Sequence, residues 1–229
     1  KLPLPGFDTI SFDIPGPGVQ TIAPASTLPT ITDPVIIDGY TQPGSSQNSD
    51  PAGFNGVLLI ELNGAAAGDS NGLNITAGGS TIRGLVINGF QGSTAAAGNA
   101  VHFATAGGNH VEGNFIGTDA AGLSAAPGQN GVAFTTQGGT IGATVGGLNP
   151  EDRNLISGNF SGILSTSNFN GGSTSVIQGN IIGLDRNAAA PIPNQFGIAT
   201  NDGGPTTMTV GGLTPEAANI ISGNSSVGI

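Results

Sequence analysis

Apolar residues along the chain come in short pulses separated by Gly/Asn/Ser clusters. Within each pulse they alternate with polar ones: Val57, Leu59 and then Glu61; Leu73 and Ile75; Val101 and Phe103; Val132 and Phe134. Alternation over three to six residues is the pattern of a half-buried strand, because successive side chains point to opposite faces of the pleat. No stretch of a dozen residues carries apolar positions at three-and-four spacing, so the pattern predicts strands and no helices. The even spacing of Ile, Val and Leu also argues against a disordered chain, which has no reason to space them so.

The pulses themselves recur. VEGNFIGTDAAG (Val111 to Gly122) returns as IQGNIIGLDRNA (Ile177 to Ala188), and NLISGNFSGI (Asn154 to Ile163) returns as NIISGNSSVGI (Asn219 to Ile229). Between them VGGLNPEDR (Val145 to Arg153) returns as VGGLTPEAA (Val210 to Ala218), giving a unit of 65 residues. Inside the unit a Gly-Asn dipeptide flanked by aliphatic residues appears at Gly113-Asn114, Gly158-Asn159, Gly179-Asn180 and Gly223-Asn224, spaced by 45, 21 and 44 residues. GLVINGF (Gly84 to Phe90) carries the same pair reversed, as Asn88-Gly89. Those spacings are multiples of about 22, the length of one solenoid coil. A coil cannot bury its own apolar face, whereas stacked coils bury a continuous column with strands ~4.8 Å apart. Leucine-rich repeats share this period but need Leu-rich sequence and usually helices; here β-branched residues dominate.

The predicted architecture is therefore all-β, a right-handed parallel β-helix of roughly eight coils. One domain would cover residues 1–229, with opening coils over 1–70 and regular coils over 71–229. Gly and Asn fit its corners, which need left-handed or bridge conformations. Asn114, Asn159, Asn180 and Asn224 are the expected ladder, each amide bonding to the one above and below. Val111, Phe115, Ile116, Leu155, Ile156, Val176, Ile177, Ile181, Ile182, Ile220 and Ile221 are the expected core around it.

Composition narrows the function classes. Among 229 residues there are 41 glycines and 15 prolines, which disfavour helix by about 1 and 3 kcal/mol per position. With 4 basic and 14 acidic side chains the net charge is -10, so a phosphate backbone is repelled and nucleic acid is not an expected partner. Cysteine is absent, which excludes thiolate chemistry, and no apolar run is long enough for a membrane-spanning helix. The opening KLPLPG has no charged-then-apolar leader, so a signal peptide is absent or already removed.

The segments GNFIGTDAAG, NGVAF and VGGLNPEDRNLISGN resemble the repeats of large bacterial right-handed parallel β-helix surface proteins. The stretch from Asp8 to Gly44 resembles the opening turns of such domains. The resemblance covers nearly the whole chain and speaks to fold more than to activity: adhesin-like and autotransporter-like proteins share the architecture, as do pectate lyases and phage tailspikes. It implies a segment of a secreted or cell-surface protein. Such domains begin with a capping segment and end on a polar cap. This chain starts without the first and stops at Ile229 in mid-repeat, so a longer protein, or ends that meet another subunit, is the expectation.

Candidate chemistry is sparse. The cations are Lys1, Arg83, Arg153 and Arg186. Arg153, beside Glu151 and Asp152, is expected to form a local surface ion pair or a loop contact. Glu112 and Asp119 could be imagined as a carboxylate pair on adjacent coils, which glycoside hydrolysis needs about 5 to 9.5 Å apart. No tryptophan and a single tyrosine, Tyr40, accompany them as a sugar platform. His110 and Glu112 share a strand face, and His102 lies opposite Val101 and Phe103; the expectation for all three is a solvated outer face. There is no GxSxG, HExxH or P-loop lysine.

No cofactor is required. Calcium is the one the turns would accept, with Asp119 and Asp185 at matching points of the repeat and Asp50 and Asp202 as further carboxylates. The competing and favoured reading is an Asx-turn, in which Asp119 and Asp185 bond to their own backbone. Asn74-Ile-Thr, Asn159-Phe-Ser and Asn224-Ser-Ser match the glycosylation pattern but arise by chance in such a composition. Thr135, Thr136 and Thr140 cluster without recurring, so an ice-binding array is not expected. The expected function is non-catalytic: an extracellular or cell-surface stalk, adhesin shaft or assembly subunit. Its partner would be itself, end to end or laterally, or surface glycans. The alternative is a carbohydrate-active or glycan-binding β-helix.

Overall fold

The structure, a computed structural model, describes residues 8–94, 97–136, 142–167, 174–201 and 207–229. It is all-β, with three sheets whose strand pairs are all parallel. Sheet A holds β1 (Asp8–Ser11), β3 (Val35–Asp38), β6 (Thr81–Arg83), β9 (Asn109–Glu112), β12 (Ala143–Gly146), β15 (Thr174–Gln178) and β18 (Thr207–Val210). Sheet B holds β2 (Gln20–Ile22), β4 (Ile60–Asn63), β7 (Leu85–Asn88), β10 (Phe115–Ile116), β13 (Leu155–Ile156), β16 (Ile181–Ile182) and β19 (Ile220–Ile221). Sheet C holds β5 (Leu73–Ile75), β8 (Asn99–Phe103), β11 (Asn130–Thr136), β14 (Ser161–Ser167) and β17 (Phe196–Thr200). The chain visits A and then B on every pass, adds a strand of C on the second to sixth, and the strands of each sheet stack in chain order. Sheets A and B each hold seven strands, which defines seven passes.

The register stacks like on like. In sheet A the column Ile37, Ile82, Val111, Val145, Ile177, Val210 runs down the interior; in sheet B it is Leu62, Ile87, Ile116, Ile156, Ile182, Ile221. Sheet C adds Leu73, Val101, Val132, Ile163 and Ile198, with Phe103 and Phe134 stacked at 5.8 Å. These columns form one apolar cluster. Each fully buried aliphatic side chain in it contributes about 1.5–3 kcal/mol.

The expected period of about 22 is corrected. Val145 and Val210 lie on β12 and β18, which are two passes apart, so the 65-residue unit is two passes of about 33 residues each, not three of 22. The cause is that one motif serves two corners. Gly113-Asn114 and Gly179-Asn180 turn the chain from sheet A into sheet B, whereas Gly158-Asn159 and Gly223-Asn224 turn it from B into C. Around Val57 the expected alternation is one residue out: Val57 is exposed, and the buried positions are Leu58, Ile60 and Leu62.

Sheet B is apolar on both faces. Its second column, Val86, Phe115, Leu155 and Ile181, faces away from the interior cluster and forms a separate one with Phe54, Leu58 and Leu184. Phe115, Leu155 and Ile181 were expected in the single core, and Val176 as well. The first three are buried in this outer cluster instead, Ile220, also expected in the core, is half-buried against it, and Val176 is half-exposed between Thr144 and Thr209. A two-residue strand with both side chains apolar must cover both, and the long turns supply the outer cover.

Candidate functional site

Asn114, Asn154, Asn180 and Asn194 are fully buried and lie at the corners. At the A-to-B corner the column is Asn114, Asn154, Asn180, Asn219. Asn114 Nδ2 donates to Asn154 Oδ1 at 3.1 Å, Asn154 to Asn180 at 2.9 Å and Asn180 to Asn219 at 3.0 Å. Each Nδ2 also reaches the carbonyl of the last residue but one in a sheet A strand of the pass before: Ile82, Val111, Val145 and Ile177. The backbone amides of Asn114, Asn154 and Asn180 close the pattern by donating to the next Oδ1. At the B-to-C corner a second column joins Asn159, Asn194 and Asn224 at 3.3 and 3.0 Å. A third runs Asn71, Asn99, Asn130.

The four expected ladder residues thus fall into two columns, two in each, and Asn154, Asn194 and Asn219 complete them. The missed signal is the motif Asn-apolar-Ile, shared by Asn114-Phe-Ile, Asn154-Leu-Ile, Asn180-Ile-Ile and Asn219-Ile-Ile. Gly113 stands before the first at φ +67, where a side chain is strained and a Cβ would strike the Tyr40 hydroxyl.

Asp119 and Asp185 cap the turns after β10 and β16. Asp119 Oδ1 accepts from the amides of Leu123 and Ser124 at 3.0 and 3.3 Å. Asp185 Oδ1 accepts from those of Ala189 and Ala190 at 2.8 and 3.1 Å, and Oδ2 from Asn187 Nδ2. Burial pushes the Asp185 carboxyl up, but the amides of Ala189 and Ala190 and the Asn187 side chain outweigh it, and the group sits below the ordinary carboxylate range. Asp50 holds the amide of Ala52 at 2.8 Å. Among the described residues no three His, Cys, Asp or Glu side chains converge on a metal position. Asp202 and Thr140 lie outside the described residues.

Charge concentrates at the end of the sheet A strands. Arg83 Nη2 is 2.7 Å from Asp38 Oδ2, and Nη1 is 3.9 Å from Glu112 Oε1 on the next strand. Asp38 Oδ1 accepts from the Tyr40 amide, and the Tyr40 hydroxyl donates to Gly113 O at 2.8 Å. Burial and the nearby Asp152 raise the Glu112 carboxyl above its ordinary value. Glu112 and Asp119 are not brought together: one faces Arg83 from sheet A and the other caps a turn beyond sheet B. His110 is exposed as expected. His102 is not; it is 6% exposed. Its Nδ1 lies 2.7 Å from Asn74 Oδ1, its Nε2 has no partner, and burial pushes its pKa down to about 4.

Of the two expected roles Arg153 takes the loop contact and not the ion pair with Glu151 or Asp152, because Asn149 occupies the Asp152 carboxylate. It donates instead to the carbonyls of Gly179 (2.8 Å), Gly53 (2.9 Å) and Asp50 (3.3 Å). Arg186 donates to the carbonyls of Phe54 and Gly56, both at 2.7 Å, and its guanidinium lies 5.5 Å from the centre of the Phe115 ring. Both arginines hold chain to chain. No family model, curated protein or solved structure matches the sequence or the fold.

Proposed function

We propose that the chain is a right-handed parallel β-helix acting as a non-catalytic structural or adhesin-like segment of a cell-surface or extracellular protein. The observation that carries this reading is the direction in which the side-chain chemistry points. The buried amides of Asn114, Asn154 and Asn180 and the guanidinium groups of Arg153 and Arg186 all bond along the stacking direction, to other passes of the same chain. Three parallel ladders with amide columns at the corners make a stiff element, about 30 Å long at ~4.8 Å per pass, and stiffness is what a stalk or shaft requires. Its partners would be further copies or surface glycans. Electron microscopy of the native material tests the role. Filaments or fibres with a repeat built from the ~4.8 Å strand spacing are expected. Release of sugar products from a polysaccharide panel by the purified chain would overturn the non-catalytic assignment.

One observation favours the carbohydrate-active or glycan-binding alternative. Glu112 is half-buried with a raised carboxyl beside Arg83 and Asp38, on a face that also exposes His110. On that reading Glu112→Gln abolishes turnover or weakens glycan binding while the melting temperature stays put. Equal behaviour of the variant and the parent protein removes this alternative.

A further inference from the structure

Residues 45–57 leave the second pass before β4 and return to it through a hairpin neck. Ser46 N donates to Val57 O at 3.0 Å and Val57 N to Ser46 O at 2.9 Å. Beyond the neck the segment is organised by Asn48, which is 2% exposed. Its Oδ1 accepts from the amides of Asp50 and Asn55, and its Nδ2 donates to the carbonyls of Asp50 and Gly53. That Nδ2 also reaches Pro150 O, on the fifth pass, at 2.8 Å. Arg153, also on the fifth pass, holds the carbonyls of Gly53 and Asp50. Arg186, on the sixth, holds those of Phe54 and Gly56, and Phe54 N donates back to Arg186 O at 2.8 Å. The Phe54 ring meets Phe115 of the fourth pass edge-on at 4.6 Å and covers the outer apolar column of sheet B.

Stacked passes elsewhere bond to their neighbours or at most two steps away, as Tyr40 does to Gly113 and Arg186 N to Gly122 O, and such arrays lose cooperativity with distance. This segment bonds directly to passes three and four steps away. We propose that residues 45–57 are an axial clasp that makes passes two to six open and close as one unit. The bonds are N–H donors on carbonyl oxygens, several from a charged guanidinium, the stronger class of hydrogen bond. No carboxylate takes part in the Arg186 contacts, so that end of the clasp holds equally at low and high salt.

Hydrogen exchange on the whole chain tests it, comparing the wild type with Arg186→Gln. The clasp predicts exchange faster by on the order of tenfold in β16 and also in β4, four passes away. Arg186→Lys, which keeps the charge and loses the planar fork, should act as Arg186→Gln does. In a chain whose residues 47–56 are replaced by Asn-Gly, a turn suited to closing the Ser46–Val57 neck, Arg186→Gln should leave β4 unchanged. Acceleration confined to residues 183–192 and the clasp itself would overturn the proposal. So would an equal acceleration of β4 in the shortened chain. Where the shortened chain does not fold, the β4 comparison between wild type and Arg186→Gln decides alone.

Discussion

At the scale of single residues, the buried amides carry the largest testable cost. Asn154 is fully buried; its Nδ2 serves Val111 O and Asn180 Oδ1, and its Oδ1 serves the amide of Asn114. Asn154→Leu keeps the branched shape but satisfies none of these groups, so a loss of about 3 kcal/mol is expected. Chemical denaturation measures it, and an unchanged midpoint would show that the column carries no stability. His102 gives a pH signature. Its folded pKa of about 4 lies below its ordinary value of 6.5, so the unfolded chain takes up its proton first as pH falls. Its contribution is complete above pH 6.5 and is lost as pH falls toward 4, by about 3 kcal/mol in all. His102→Gln should flatten the stability–pH curve in that window relative to the wild type. Two parallel curves would mean that the ring takes up its proton at the same pH in the folded and the unfolded chain. The sequence placed His102 opposite Val101 and Phe103, as a strand demands, but the residue pattern carries no sign of what covers that face.

At the scale of elements, strands were legible because their cause is local: alternation, β-branched side chains and glycine at the ends. Sheet B strands were legible for the same reason, yet not their second face. Phe115 and Ile116 look alike in sequence; one points into the interior and the other into a cluster completed by Phe54, more than sixty positions earlier, and nothing local announces that contact. The turns after β10 and β16 illustrate how one element accepts two sequences. Gly122 has φ +67, and Ala188, 66 residues later at the matching point, has φ +53, the one non-glycine residue with positive φ among those described. A left-handed alanine costs roughly 1 kcal/mol or more. Glycine costs part of that back in the unfolded chain, so Ala188→Gly should stabilise by about 0.5–1 kcal/mol. The reverse exchange, Gly122→Ala, should cost more than this gains, since its Cβ would lie 2.9 Å from Phe115 and 3.0 Å from Leu155 and Arg186. Calorimetry on the two variants decides; a loss in both would mean that the turn, not the φ value, sets the preference.

At the scale of the whole molecule, the repeat was legible and its period was not, because the Gly-Asn corner motif falls once in each of passes four to seven but alternates between the A-to-B and the B-to-C corner. Counting Asn-apolar-Ile instead gives intervals of 40, 26 and 39 residues, uneven because the longer passes carry the NPEDR and TPEAA turns between sheets A and B. The long-range charge balance follows from the same spare chemistry. The chain carries -10, with 14 acidic groups against 4 basic ones. Among the described cations Arg83 sits within 4 Å of carboxylates, while Arg153 and Arg186 bond to carbonyls. Salt therefore has few attractions to weaken and a large self-repulsion to screen, since the Debye length falls from about 30 Å at 0.01 M to 3 Å at 1 M. A protein held by ion pairs would melt lower as salt is added. This one should melt higher between 10 mM and 0.5 M sodium chloride, and the rise should be as large in Arg186→Gln as in the wild type, because that contact is not an ion pair. A fall in melting temperature would mean that the Asp38–Arg83–Glu112 column outweighs the repulsion of all the remaining carboxylates.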